Sequence, residues 1–208
     1  MLPIRVVKVG GSLLGLPDLA KRIRDWLGQQ SPAHHVLLVG GGPLADQIRQ
    51  WDQQHVLPED AAHWLCVDLL DVTAGLLHAR LPEIALVGDD RMLCQRVGER
   101  NCTIFAPARW LRESEPQLPG TRLPATWDVT SDSIAARLAV VLGASELVLL
   151  KSVLPNVKLG PHIENLAAVG YVDPMLSRLG PELPILRLIG LRANPHAELA
   201  IPALGSLG

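Results

Sequence analysis

The 208-residue chain reads as an α/β protein whose mainly parallel sheet is covered on both faces by helices. Three observations predict this. Strand-like and helix-like stretches alternate from one end to the other. The hydrophobic fraction is 48% but the aromatic fraction only 3%, so Leu, Val and Ala supply the interior, as in a buried parallel sheet. Two early strands run into glycine clusters, and in such sheets ligands bind where strand ends lead into helices. A chain of this length buries roughly 70% of its unfolded surface, enough for one domain, 1–208, without disulfides or structural metal.

The elements follow in order. IRVVKV at 4–9 is a strand. A helix spans 18–27, with Leu19, Ile23 and Trp26/Leu27 at helical spacing. HHVLLVGGG at 34–42 is a second strand ending in glycines. Pro43 opens the next helix, where its fixed φ fits, and that helix carries Leu44, Ile48 and Trp51. Residues 59–80 form one long helix. Strands at 83–88 and 102–108 flank a helix at 90–100. PQLPGTRLPATWD at 116–128 is a Pro/Gly-rich loop, too short for a domain linker. A helix covers 131–142 and a strand 146–153. After another helical stretch, PILRLIGL at 184–191 is the last strand, and a final helix starts at Asn194.

Composition excludes several functions. Nineteen basic residues against 21 acidic ones give a formal charge of −2, with no basic tract and no Arg–aromatic interleaving, so nucleic acid is not an expected partner. The three cysteines, Cys66, Cys94 and Cys102, match no zinc or redox spacing and read as free thiols of a reducing compartment. The start of the chain reads as a strand rather than a signal core. No apolar run approaches the ~18 residues of a membrane span. A soluble, cytoplasmic protein is the expectation.

Lys8 is the anomaly of the first strand, because a buried strand seldom carries a lysine. Lys8 and Gly10 project to one side, Val7 and Val9 to the other. From the strand end Lys8 reaches toward whatever the amides of Gly10-Gly11-Ser12 hold. Gly40-Gly41-Gly42 follow the second strand in the same way. Glycines let backbone amides approach a phosphate, and a helix N-terminus adds its dipole. The spacing is neither that of a Walker A loop nor that of a Rossmann fingerprint. In TWDVTSDSIAARLA, Thr130 or Ser131 caps a helix with Asp132 and Ser133 in its first turn.

K-x-G-G-S after the first strand, G-G-G after the second and T-S-D-S opening a later helix together resemble the amino acid kinase family, over nearly the whole chain. That family includes acetylglutamate kinase, aspartokinase, uridylate kinase and isopentenyl phosphate kinase. The compact length, AHWLCVDLLD and WDVTSDS are most similar to the branch that phosphorylates [5-(aminomethyl)furan-3-yl]methyl phosphate in methanofuran biosynthesis. The resemblance implies a three-layer αβα sandwich with an open sheet and phosphoryl transfer from ATP to a phosphate or carboxylate acceptor, with Mg²⁺ carried by the ATP rather than by protein ligands. It implies that Lys8 stabilises the transferring group and that Gly10, Gly11, Gly41 and Gly42 donate amides, with Ser12, Gly40, Ser131, Ser133 and Ser152 beside them on the phosphate side. It implies that Asp132 organises the lysines, and that the chain assembles as a homo-oligomer. Phosphoryl transfer fits such a site, since it needs positioning and charge neutralisation more than covalent help.

The chain also departs from the family. The T-D-V-D-G pattern is replaced by Lys151-Ser152-Val153-Leu154-Pro155, and GYVDPMLSRLG lacks the lysine of G-G-M-x-x-K. Lys151 or Arg178 is the candidate substitute for that charge. On the acceptor side the candidates are His63, Asp68, Trp127, Asp128 and Thr130. His34 and His35 read as structural. The other reading of these departures is a non-catalytic member that binds a nucleotide or oxyanion and acts through assembly.

Overall fold

The computed structural model describes residues 2–96, 102–155, 162–193 and 196–201. Seven strands form one sheet: β1 (Ile4–Val9), β2 (His34–Val39), β3 (Ala85–Val87), β4 (Cys102–Phe105), β5 (Glu146–Lys151), β6 (Ile185–Gly190) and β7 (Ala197–Ile201). Their order is β3-β4-β2-β1-β5-β6-β7. All pairings are parallel except β6–β7. The α/β sandwich expected from the alternation is therefore present. The sheet's last strand departs from expectation: 197–201 pairs antiparallel with β6 instead of forming a helix, while Asn194 lies outside the described residues.

The helices are α1 (Leu19–Gly28), α2 (Pro43–His55), α3 (Glu59–Arg80), α4 (Asp90–Arg96), α5 (Ala108–Glu113), α6 (Ser131–Val141), α7 (Ile163–Ala168) and α8 (Pro174–Leu179). β1 has the expected bounds, while β2 to β6 are shorter than the stretches read as strand. Residues 106–108, read as strand, lead into α5, which the sequence left unassigned. The predicted helix at 90–100 is described as far as Arg96.

Side-chain alternation divides β1 between two cores. Val6 joins one with Leu147, Leu149 and most of α6, while Val7 and Val9 join the other with Leu19, Ile23 and Trp26 of α1. Lys8 therefore emerges on the face covered by α6. The register puts Lys8 opposite Leu149, and Lys151 two residues further along β5 on the same face. The chain reverses its lateral direction at β1, which lies between β2 and β5. Such a switch point opens a crevice beyond the carboxyl ends of the strands.

α6 is the central helix of this layer, buried from Asp132 to Ala139. Arg137 lies within it, fully buried and bonded to Glu115 at 2.9 Å and to the Leu118 carbonyl at 3.2 Å. The Pro/Gly-rich loop is thereby pinned to the core.

His34 and His35 start β2 at the opposite end of the sheet from the crevice, in keeping with a structural role. His34 Nε2 is 3.3 Å from Thr103 Oγ1, and His35 meets the Trp26 ring edge-on at 6.4 Å. Burial, reinforced by the Arg5 charge, pushes the His35 imidazole down from 6.5 to about 4. Between those values the unfolded chain binds a proton that the folded chain refuses. This contribution to stability is whole above about pH 6.5 and falls by roughly 3 kcal/mol as pH drops toward 4. Urea unfolding at pH 7 and pH 4.5 should show wild type losing more stability than His35→Phe. An identical loss in both would remove the assignment.

Candidate active site

Three charged side chains meet at the crevice. Lys8 Nζ stands 2.9 Å from Asp132 Oδ1, and Lys151 Nζ lies 2.5 Å from Asp132 Oδ2. The lysines arrive from neighbouring parallel strands and the aspartate from the first turn of α6, above both. Lys151 also donates to the Tyr171 carbonyl at 2.9 Å and lies 5.0 Å from the Tyr171 ring centre. Lys8 is 6% exposed and Asp132 4%. Burial by itself would raise the Asp132 pKa, but the Lys8 and Lys151 ammonium groups outweigh it and hold the carboxyl below the usual carboxylate range. Burial and the Lys8 charge push the Lys151 ammonium down, against the pull of Asp132.

The glycine turns lock into each other beside this triad. A Cβ on Gly11 would stand 2.1 Å from the Gly42 nitrogen and 2.4 Å from its Cα, and Gly42 itself has φ +55°. Only glycine fits either place. The Gly10 amide is spent on the Leu150 carbonyl at 2.8 Å, and that of Gly40 on Val9 at 2.9 Å. These two glycines continue the sheet rather than donate to a ligand. The amides of Gly11, Ser12, Gly41 and Gly42 have no bonded partner among the described residues. Gly11→Ala is expected to force the two turns apart and cost about 1–3 kcal/mol or more, since both obstacles are backbone. Gly28→Ala, where a Cβ meets nothing within 4 Å, is the comparison. Equal melting temperatures for the two variants would contradict the interlock.

A cleft of about 320 Å³ is lined by Lys8, Gly10–Ser12, Gly40–Gly42, His63, Thr130, Ser131 and Lys151. These predicted residues are brought together. Ser152 joins at the rim, its hydroxyl 2.7 Å from that of Ser12. Trp127 lines an adjoining cavity of about 330 Å³ that shares Thr130 and Lys151 with the cleft. Its indole donates to Asp52 at 2.8 Å, and the Arg49 guanidinium lies over its ring at 5.0 Å.

Three predicted residues stand elsewhere. Asp68 faces outward and pairs with Arg112 at 2.7 Å. Asp128 is about half exposed, 3.8 Å from Arg178, so Arg178 does not reach Asp132 in place of a second lysine. Ser133 is fully buried, and its hydroxyl turns to Asp173 at 2.9 Å rather than to the cleft.

Sequence reasoning missed Asp46, Arg49 and Cys66, which also line the cleft. The signal for the first two was their place in the first two turns of a helix that follows a glycine triplet. Burial raises the Cys66 thiol pKa, so it is no ready nucleophile. Among the described residues no group of three or more His, Cys, Asp or Glu could hold a metal ion.

Two ammonium groups converge on one carboxylate beside unspent backbone amides, at the switch point of a parallel sheet. Ammonium groups beside unspent amides form a concavity suited to an anion. No family model matches the chain. It is 22% identical over 151 residues to the [5-(aminomethyl)furan-3-yl]methyl phosphate kinase of Methanocaldococcus jannaschii; the match spans 72% of this chain and 66% of that protein, just under two thirds of its length. Among solved structures it is similar to UMP kinase from Ureaplasma parvum, with a TM-score of 0.61 and 14% identity over 90% of this chain and 89% of the other. It is likewise similar to uridylate kinase from Archaeoglobus fulgidus, with a TM-score of 0.60 and 18% identity over 89% of each chain. The fold expected from the three motifs is the fold observed.

Proposed function

We propose that this chain is an ATP-dependent small-molecule kinase. The observation that carries the reading is the convergence of Lys8 and Lys151 on Asp132 beside the interlocked glycine turns. In this reading the bond from the γ-phosphorus to its bridging oxygen breaks, and one to an acceptor oxygen forms. Lys8 and Lys151 neutralise the charge on the moving group, and Asp132 keeps the two ammonium groups from repelling each other. The amides of Gly11, Ser12, Gly41 and Gly42 hold phosphate oxygens. Mg²⁺, bound through ATP, supplies further charge neutralisation. Lys151 takes the part of the second lysine that the family pattern places later in the chain. An acceptor that is already a phosphate needs no general base.

For the acceptor we propose a phosphate monoester of the aminomethylfuran type, as in methanofuran-linked one-carbon metabolism. The M. jannaschii relative supports this choice. The cleft also carries Arg49 and Asp46, an exposed ion pair 3.2 Å apart that an acceptor's phosphate and amine would have to separate in order to use the guanidinium and the carboxylate. Incubating the protein with Mg·ATP and a panel of phosphorylated alcohols and amino acids tests both levels. ADP release with any acceptor supports the kinase. Release confined to acceptors without an amine overturns the furan choice. ATP binding without acceptor-dependent turnover supports the non-catalytic reading instead.

We further propose a cytoplasmic homo-oligomer. None of the described helices is long and apolar enough to cross a membrane. Leu65, Val72 and Leu76 lie exposed along α3, an apolar stripe suited to a second copy of the chain. Sedimentation of the protein as a monomer at micromolar concentration would remove the oligomer.

A further inference from the structure

Asp173 has no part in the site as the sequence reading drew it, yet it holds more of that site in place than any capping residue of α6 itself. Its side chain is buried and accepts five hydrogen bonds. Oδ1 takes the Leu176 amide at 2.8 Å, capping its own helix α8. Oδ2 takes the Thr130 amide at 3.0 Å, the Thr130 hydroxyl at 2.7 Å, the Ser133 amide at 3.1 Å and the Ser133 hydroxyl at 2.9 Å. One carboxylate thus caps two helices, α8 in its own segment and α6 from across the crevice. The cap that α6 supplies for itself is weaker, with Thr130 Oγ1 3.3 Å from the Asp132 amide. Two residues before Asp173, the Tyr171 carbonyl receives the Lys151 ammonium. The segment 171–173 therefore touches the supports of two members of the triad.

We infer that Asp173 is the positioning residue of this site, setting the place of the Asp132 carboxylate through the start of α6 and that of Lys151 through the Tyr171 carbonyl. Its effect on turnover rests on the kinase reading; its effect on geometry does not. The chemistry requires a carboxylate. Three of the five donors are backbone N–H groups, which cannot turn round. An asparagine must aim its NH₂ either at the Leu176 amide or at the start of α6, and so loses one helix or the other. Asp132 then drifts from the lysines, and displacements near 1 Å cost about 10²-fold in reactions that depend on position.

The test compares wild type with Asp173→Asn in two ways. The first is acetylation of Lys151 relative to the exposed Lys21, followed by mass spectrometry. The second is kcat and KM for ATP and whichever acceptor turns over. Expected are an increase of about tenfold or more in Lys151 labelling and a fall of about tenfold or more in kcat, with both KM values within about threefold. Unchanged Lys151 labelling overturns the inference. So does a rise accompanied by faster amide exchange throughout the sheet, since that is general loosening. If Asp173→Asn does not fold, Thr130→Val removes only the hydroxyl between Asp173 and the Asp132 amide and is read by the same labelling ratio; there too, no rise overturns it. If wild type turns over no acceptor, the kinase reading fails, and the labelling ratio still decides the role of Asp173.

Discussion

Lys8→Ala is expected to lower kcat by about 10²–10³-fold, the usual effect of removing one preorganised group that stabilises transition-state charge. The fold should survive. Taking one ammonium from the triad leaves Asp132 and Lys151 as a one-to-one pair 2.5 Å apart, so no buried charge is orphaned. The cost in stability then stays below the ~3–5 kcal/mol of a broken buried pair. Lys8→Met, which keeps most of the stem, should be as inactive and more stable, because the lysine stem packs against Gly40. Initial rates of ADP formation, with thermal melts of the same samples, check both parts. A fully active Lys8→Ala protein would remove the central assignment.

Asp132→Asn should be the more damaging change to the fold. It leaves two ammonium groups facing one buried amide, and the loss is expected to be about 3–5 kcal/mol. At ~2–4 °C per kcal/mol for a chain of this size, that is a fall in melting temperature of roughly 6–20 °C. The pH dependence gives an independent check. Burial and Lys8 already push the Lys151 ammonium below its ordinary range. Without Asp132 the opposing pull is gone. A lysine whose folded pKa is depressed gains stability as pH rises toward its unfolded value, because the folded chain releases its proton first. The variant should therefore gain more stability than wild type between pH 7 and pH 10. A flat or falling difference over that range would mean that the two lysines do not share Asp132.

Lys8 was conspicuous because burial and charge conflict within one apolar run. Gly11 and Gly42 were visible as glycines after strands, but their mutual contact was not, since it joins loops that follow two different strands. Asp132 was visible as a first-turn carboxylate, and Lys151 as a lysine closing a strand. That they meet depends on β1 and β5 being neighbours, which local spacing does not encode. Asp68 and Asp128 were read as acceptor-side candidates, and Asp46 was not. Only the facing of α3 and of the loop before α6 sent them outward to Arg112 and Arg178. The last strand was misread as a helix because an edge strand paired on one side carries a weak alternating pattern, and Ala197–Ile201 includes two alanines and a glutamate.

The sequence by itself determined the alternation of elements, the buried parallel character of the sheet, the glycines at the carboxyl ends of β1 and β2, and Lys8 beside the first of them. These depend on periodicity, composition and backbone freedom, which act over a few residues. The tertiary structure alone decided that the sheet reverses direction at β1, that Lys8 and Lys151 share one carboxylate, and that Asp173 caps α6 from another helix. Those outcomes come from packing α6 across adjacent parallel strands. There the pairing of buried charges and the capping of the buried start of α6 bring together residues from positions 8 to 173.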